Sequence, residues 1–167
     1  MKTLVLGYGN ADREDDGVAW HVIRSLISSL GGEAPTEMEE ENPLSIGGID
    51  FLFLLQLTPE LSELISGYDR ICFVDAHTGA VPESVHFEVL DPGYQHSPFT
   101  HHLTPNSLLA MTGSIYHQIP HAILVSVRGF EFGFSRELSA AAADLIPQTV
   151  ELIFNWLNHH TPSSLGG

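Results

Sequence analysis

The sequence is poor in cysteine and in basic residues. Cys72 is its single cysteine among 167 residues, so no intramolecular disulfide can form. Six residues are lysine or arginine against 21 aspartates and glutamates, which gives a formal net charge of -15. Because an acidic surface repels phosphate groups, we expect no nucleic acid and no membrane among the partners of this protein.

Long hydrophobic runs are absent as well. The densest apolar run, 51–55, has the length of a strand and falls short of the roughly 18 residues that a membrane span needs. The N-terminal residues lead directly into a glycine turn and lack the apolar length and cleavage site of a signal peptide. These features predict a cytoplasmic protein.

The length and composition fit one hydrophobic core. With 167 residues, 43% of them hydrophobic, the chain is long enough to bury a core and short for two domains. We predict a single α/β domain over residues 1–158, followed by a frayed C-terminal tail over 159–167. The glutamate-rich segment 33–42 is expected to be a solvated loop, and a monomer is the default expectation.

Strand and helix patterns alternate along the chain. Strand-like runs cover 2–7, 49–55, 70–75, 85–89 and 122–127. Helical spacing or helix-start signals cover 17–30, 58–66, 104–115 and 139–158. The last of these helices is expected to be broken or kinked at Pro147. This alternation predicts the α/β class, as a three-layer αβα sandwich around a mostly parallel, twisted sheet of about five strands. Apolar and polar residues alternate in 85–89, which favours an antiparallel edge strand.

The first candidate site is the loop after the first strand. It reads Gly7-Tyr8-Gly9-Asn10 and continues to Asp15-Asp16-Gly17. A dinucleotide fold has its glycine fingerprint here, but Asp12 replaces the third glycine, and the acids place negative charge where a pyrophosphate would lie. We expect Asp15 to cap the following helix and Asp16 to be a candidate ligand.

Two further candidates follow later elements. Asp75 ends the most apolar strand, and His77 is a weaker candidate two residues on; His101 and His102 lie in a loop ahead of a helix start. Sites in open α/β sheets collect beyond the carboxyl ends of the strands. Asp16, Asp75 and one imidazole would supply an incomplete O,O,N ligand set for a divalent ion of the nickel or zinc type.

Nothing in the sequence indicates a covalent nucleophile. No serine lies in a G-x-S-x-G motif, and the apolar run around Cys72 predicts a buried thiol. If the protein is a hydrolase, water is therefore the expected attacking group. Arg128, a lone cation directly after the last strand, is expected to pair with Glu131.

Five segments of the chain together resemble one protein family. They are Gly7-Tyr8-Gly9-Asn10 with Asp15-Asp16-Gly17, Gln56-Leu57-Thr58-Pro59-Glu60-Leu61, Val74-Asp75-Ala76, His101-His102-Leu103-Thr104-Pro105 and Arg128-Gly129-Phe130-Glu131-Phe132. The chain is similar in these segments to the nickel-iron hydrogenase maturation endopeptidases, from Leu4 to about Glu151. It resembles most the branch that serves cytoplasmic bidirectional hydrogenases.

The resemblance implies an endopeptidase that removes the C-terminal extension of the hydrogenase large-subunit precursor after nickel insertion. The nickel would be supplied mainly by the precursor, and no organic cofactor is implied. The family's metal-contacting and catalytic positions carry over to Asp16, Asp75 and His101, with His102 in reserve. The chain departs from the family at Leu55-Gln56-Leu57-Thr58, where many relatives have an Asp-Gly-Gly-Thr-like segment. Aspartic and metal-dependent catalysis both stay open.

Two other function classes compete with the protease. A non-catalytic nickel-binding or chaperone module could recognise the precursor with the same residues. A nucleotide-binding regulatory domain rests on the glycine turn alone, and the acids that follow that turn oppose it.

Overall fold

The computed structural model describes residues 1–37, 42–92 and 103–159. The strands are β1 Thr3–Tyr8, β2 Leu44–Ile46, β3 Ile49–Leu54, β4 Arg70–His77, β5 Val85–Val89 and β6 His121–Arg128. The helices are α1 Val18–Ser29, α2 Leu61–Ile65, α3 Pro105–Tyr116, α4 Ala140–Ala143 and α5 Ile146–Asn158. A turn of 3-10 helix, Glu14–Gly17, leads into α1.

The strands form one sheet in the order β2-β3-β1-β4-β6-β5. β3, β1, β4 and β6 are parallel to one another, whereas β2 and β5 pair antiparallel at the two edges. The central strands β1 and β4 are nearly continuous apolar runs, as expected where helices cover both faces of a sheet. The predicted α/β class and the antiparallel edge strand β5 are confirmed.

Helices cover both faces of the sheet. Buried residues of α1 and α5 pack on one face with Cys72 and Val74, and buried residues of α2 and α3 pack on the other with Ile71 and Phe73. The three-layer prediction and the buried position of Cys72 are therefore confirmed. Because side chains alternate along a strand, Asp75 lies on the same face as Phe73, under α2 and α3.

The prediction of about five strands with one antiparallel edge missed a strand. β2 is a second antiparallel edge strand of three residues, and it forms a hairpin with β3. Gly47 and Gly48 join the two strands with φ of 60° and 80°. Two consecutive residues with positive φ form the two-residue turn that suits a hairpin. The Gly-Gly pair was the available signal.

Two predicted helices differ in their bounds. α2 begins at Leu61, two residues later than the Thr58-Pro59 signature predicts, because these residues form a turn in which the Leu61 amide donates to the Thr58 carbonyl. The predicted C-terminal helix is broken, as expected at Pro147: α4 starts after the Ser139 cap, and α5 has the proline in its first turn.

Several predictions fall outside the described residues. Residues 38–41 of the acidic loop and 160–167 of the tail lie beyond the described ranges, so the solvated loop, the frayed tail and the single-domain limit at 158 stay predictions. Among the helices of the described ranges, none combines the length and the apolar character of a membrane span.

Arg70 joins the start of β4 to the end of α5. Its side chain is 5% exposed. Its guanidinium donates to the carbonyls of Trp156, Leu157 and His159 at 3.1, 3.2 and 2.8 Å, and it lies 4.5 Å from the centre of the Trp156 ring. A cation here satisfies carbonyls that the end of a helix leaves without intrahelical partners.

We predict that Arg70→Lys lowers the free energy of unfolding by about 2 kcal/mol, because an ammonium cannot reproduce the fork that reaches three carbonyls. Urea denaturation would measure the loss. Arg136→Lys is the matched control, since the Arg136 side chain is 63% exposed, and we expect a change within about 0.5 kcal/mol. Equal losses in the two variants would contradict the capping role of Arg70.

Candidate active site

A cavity of about 650 Å³ opens at the carboxyl end of the sheet, on the α2/α3 face. The first loop, the segment after β3, the end of β4, the edge strand β5 and the start of α3 bound it. Its lining residues are Tyr8, Gly9, Asn10, Asp16, Leu55, Gln56, Leu57, Asp75, Glu88, Leu103, Thr104, Pro105, Asn106 and Leu124. The cavity therefore has the location expected for sites in open α/β sheets.

Asp75 is a half-buried carboxyl on the cavity wall. Its Oδ1 accepts a hydrogen bond of 2.7 Å from the Ala76 amide, and the Tyr8 hydroxyl also donates to the carboxylate. Burial raises the pKa of Asp75 to about 7, with a further rise from the charge of Asp16, and the two hydrogen bonds only partly oppose this. A carboxyl with this pKa exchanges protons readily at neutral pH.

Tyr8 is the partner of Asp75 across the two central strands. Gly7 pairs with Val74 in the parallel register of β1 and β4. Tyr8 and Asp75, the next residues of the two strands, therefore lie side by side. Burial raises the pKa of Tyr8 well above its usual value, and the charge of Asp75 and the hydrogen bond to it act in the same direction. Tyr8 therefore stays protonated and acts as a fixed hydrogen-bond donor.

Asp16 reaches the same cavity from the 3-10 turn. Its Oδ2 accepts a hydrogen bond of 2.9 Å from the Asn10 amide. Gly9 allows this close approach: its φ is 142°, and a Cβ there would lie 2.2 Å from the Asp16 carbonyl oxygen. Any other residue at position 9 would push the turn away from the cavity.

Asp15 has a different role from the one predicted. It is fully buried, and its carboxylate accepts hydrogen bonds from the Phe130 and Glu131 amides and from the amide and hydroxyl of Ser139, at 2.7 to 3.0 Å. Burial raises its pKa, but the hydrogen bonds outweigh this effect and hold the pKa below its usual value. The prediction that Asp15 caps α1 is wrong, since Gly17 precedes that helix without a side-chain cap.

His77 is committed to a structural contact. Its Nδ1 lies 2.8 Å from the Ser126 hydroxyl, and its Nε2 lies 2.7 Å from the Glu83 carbonyl oxygen. Because a carbonyl only accepts, Nε2 carries the proton and Nδ1 accepts from Ser126. Neither ring nitrogen is free to bind a metal, so the weaker ligand candidate of the sequence analysis is not available.

His101 and His102 lie outside the described residues. Within the ranges 1–37, 42–92 and 103–159, no group of three or more histidine, cysteine or acidic side chains is arranged to hold a metal ion. The structure therefore brings together Asp16 and Asp75, and the roles of these two residues and of the imidazole stay predictions.

Arg128 does not form the predicted ion pair. No salt bridge with Glu131 is present in the described part of the chain, where the charge pairs involve His86 and Arg136. Instead, the Arg128 guanidinium lies 4.8 Å from the centre of the Phe130 ring. The backbone of Glu131 is bound to Asp15: the Glu131 amide donates to the Asp15 carboxylate, and the Asp15 amide donates to the Glu131 carbonyl. The ring of Phe130, and not the Glu131 carboxylate, lies beside the guanidinium.

The polar residues of the cavity wall that were not predicted as site residues include Tyr8, Gln56, Glu88 and Asn106. Tyr8 could have been predicted, because it ends one central strand and Asp75 lies near the end of the neighbouring one. Gln56 stands in the segment where the chain departs from the family pattern, and it brings an amide to the wall. Glu88 comes from an edge strand that pairs with β6, and this pairing could not be derived from periodicity.

The cavity combines groups suited to hydrolysis. A carboxyl with a pKa of about 7 can accept a proton from water and return it to a leaving group. The second carboxylate, Asp16, adds a hard oxygen donor from another element. The pair could hold a substrate and activate water beside it.

No protein-family model matches this sequence, and no curated protein sequence matches it significantly. Several solved structures are similar along nearly the whole chain. The hydrogenase maturating endopeptidase HybD from E. coli is 16% identical with a TM-score of 0.66, covering 94% of this chain and 92% of its own. The hydrogenase maturation protease HycI from Thermococcus kodakarensis is 18% identical with a TM-score of 0.62, at 95% and 93% coverage. An uncharacterized protein from Wolinella succinogenes is 23% identical with a TM-score of 0.59, at 93% and 96% coverage. This chain therefore has the fold of the hydrogenase maturation proteases.

Proposed function

We propose that this protein is an endopeptidase that removes the C-terminal extension of a nickel-iron hydrogenase large-subunit precursor once nickel has been inserted. The observation that carries the proposal is the pair Asp16 and Asp75, which come from separate elements and line one cavity. The shared fold with HybD and HycI supports the reaction class. The sequence motifs favour the branch that serves cytoplasmic bidirectional hydrogenases.

Asp75 is the proposed general base. Its ionised carboxylate accepts a proton as water forms a bond to the scissile carbonyl carbon, and the protonated group then donates to the amine that leaves when the C–N bond breaks. The Ala76 amide and the Tyr8 hydroxyl hold the carboxylate in place throughout. The pKa of about 7 makes both proton transfers accessible near neutrality.

Asp16 is the proposed second contact to the substrate. Nickel belongs to the precursor in this proposal, and its chemistry is to polarise the scissile carbonyl. The carboxylate oxygens of Asp16 and Asp75 line one cavity and are suitable ligands for such a cation. His101, with His102 in reserve, would supply the imidazole. With so few ligands of its own the protein would bind free nickel weakly, so cleavage would await a loaded precursor.

The proposal is tested by incubating the protein with nickel-loaded and nickel-free precursor and weighing the products by mass spectrometry. We expect only the loaded precursor to be shortened. Shortening of the nickel-free precursor would remove the nickel-dependent recognition. A precursor that binds the protein and stays full length would favour the alternative, a non-catalytic nickel-binding or chaperone module.

A further inference from the structure

An exposed cluster of aromatic side chains lies in the loop after β6. Phe130, Phe132 and Phe134 are 42%, 38% and 87% exposed. We call residues 129–135 the aromatic loop. Large apolar side chains at single surface positions are ordinary, but three exposed phenylalanines at alternate positions of five consecutive residues, with the exposed Glu131 between two of them, are a concentration of apolar surface of the kind that marks interaction sites.

The aromatic loop is held firmly in place. The Asp15 carboxylate binds the amides of Phe130 and Glu131, and the Arg13 guanidinium donates to the carbonyls of Phe132 and Gly133. The Glu14 amide donates to the Ser135 carbonyl at 2.8 Å. The phenylalanines therefore project from an ordered segment, and little conformational entropy is lost when a partner covers them.

The close packing of the aromatic loop also requires a glycine at its start. A Cβ on Gly129 would lie 2.6 Å from the ring of Phe132 and 3.1 Å from the Cβ of Asp15. The backbone thus lies directly beneath the Phe132 ring, and this ring is supported on its inner side while its outer side stays exposed.

Two arginines accompany the exposed rings. The Arg13 guanidinium lies 4.5 Å from the centre of the Phe134 ring, and that of Arg128 lies 4.8 Å from the Phe130 ring. Neither arginine forms a salt bridge with a carboxylate in the part of the chain that the structure describes, and Arg128 Nε is buried without a hydrogen-bond partner there. The exposed Glu131 and the Glu14 carboxylate beside Gly133 also lie here, so the surface is aromatic with two arginines that have no ion pair among the described residues, rather than net cationic.

The aromatic loop adjoins the catalytic cavity through two consecutive residues. Asp15 binds the loop, whereas Asp16 lines the cavity. The aromatic loop therefore packs against the turn that brings Asp16 to the cavity, so a protein bound over the cavity mouth can also reach the loop. Arginine and phenylalanine are enriched at protein interfaces, and arginine pairs well with a partner's carboxylates.

We propose that the aromatic loop, with Arg13 and Arg128, is the docking surface for the precursor, and that it takes an apolar segment carrying a carboxylate. The identity of the partner rests on the proposed function. A second copy of this chain fits the surface poorly, because both copies carry a charge of -15 and would repel each other.

The test measures binding of nickel-loaded precursor to protein that carries Asp75→Asn, so that the complex is not consumed. Adding Phe134→Ala should raise the dissociation constant about tenfold, and Phe130→Ala with Phe134→Ala about a hundredfold. Ile115→Ala is the matched control, since Ile115 on α3 is 59% exposed and away from the loop; its dissociation constant should change less than about twofold. Circular dichroism confirms that each variant is folded.

The outcomes separate docking from catalysis. Loop variants that bind like the control, while the unmodified protein cleaves the precursor, overturn the docking surface and leave the proposed function standing. Loop-dependent binding without cleavage by the unmodified protein overturns the peptidase and supports the surface. If the unmodified protein sediments as a dimer that Phe134→Ala dissociates, the surface joins two copies and the proposal is wrong.

Salt dependence tests the charge of the partner. If the arginines meet a carboxylate, raising the ionic strength should weaken precursor binding, and Arg128→Gln should reduce that dependence. An unchanged salt dependence in Arg128→Gln would contradict a carboxylate at this position.

Discussion

Asp75→Asn is expected to abolish processing of nickel-loaded precursor, with a loss in rate of about 1,000-fold or more, because an amide cannot accept a proton from the attacking water. The variant keeps the shape of the side chain, so the fold should be retained. Mass spectrometry of the precursor over time measures the loss. Asp144→Asn, which changes an exposed acid on the turn after α4, is the matched control and should process at the normal rate.

The same variant should be more stable than the unmodified protein at high pH. Burial raises the pKa of Asp75 to about 7 in the folded state, against about 3.9 in an unfolded chain. The folded state binds the proton more tightly, so the stability from Asp75 is present below about pH 4 and is lost as the pH rises through 7. Asparagine has no such charge, and the variant escapes this loss.

Thermal unfolding across this range measures the effect. Relative to the unmodified protein, Asp75→Asn should gain about 2 kcal/mol between pH 4 and pH 8, after allowing for partial solvent access, or several degrees in Tm. A difference in Tm that is the same at both pH values would contradict the raised pKa. An inactive variant with this gain in stability identifies a group that is costly for the fold and retained for its chemistry.

The pH dependence of processing follows from the same group. If Asp75 must be ionised to accept the proton from water, the rate should rise through about pH 7. The profile should be measured as kcat/KM, because that quantity reports the pKa of the free protein. A rate that is already maximal at pH 5 would exclude Asp75 as the base.

Much of the fold could be predicted from periodicity because the elements that carry it are long or strongly apolar. α1 and β4 each bury most of their side chains, so their apolar residues recur at the spacing that is typical of a buried helix or strand. β2 was missed because three residues are too few to show a period, and its edge position leaves its side chains partly exposed. The turn that forms it was visible in the Gly-Gly pair.

The candidate site was harder to predict, because its chemistry depends on contacts between distant residues. Asp15 and Asp16 are adjacent and identical in type, yet one binds a loop more than a hundred residues later and the other lines a cavity. The pKa of Asp75 depends on burial and on Tyr8, and neither can be read from spacing. Arg128 shows the same limit: its nearest acid in sequence is not its contact in space.

Asp15→Ala should cost about 3–5 kcal/mol in the free energy of unfolding, the largest loss of stability expected among the loop residues. The substitution leaves the amides of Phe130, Glu131 and Ser139 without the acceptor that each now has. Buried donors without acceptors carry the full cost of desolvation. Urea denaturation would measure the change, and Asp12→Ala, which removes an exposed pair with Arg136, should cost less than about 1 kcal/mol.

The pH dependence of that loss distinguishes a charged acceptor from a packing effect. The pKa of Asp15 is lowered in the folded state because the hydrogen bonds from Ser139, Phe130 and Glu131 outweigh burial. Its contribution is therefore present above the unfolded pKa and is lost as the pH falls through the lower folded value. The difference between Asp15→Ala and the unmodified protein should narrow in acid. A difference that stays constant down to pH 2 would mean that Asp15 acts by filling space, and the aromatic loop would then be held by Arg13 and the Glu14 amide instead.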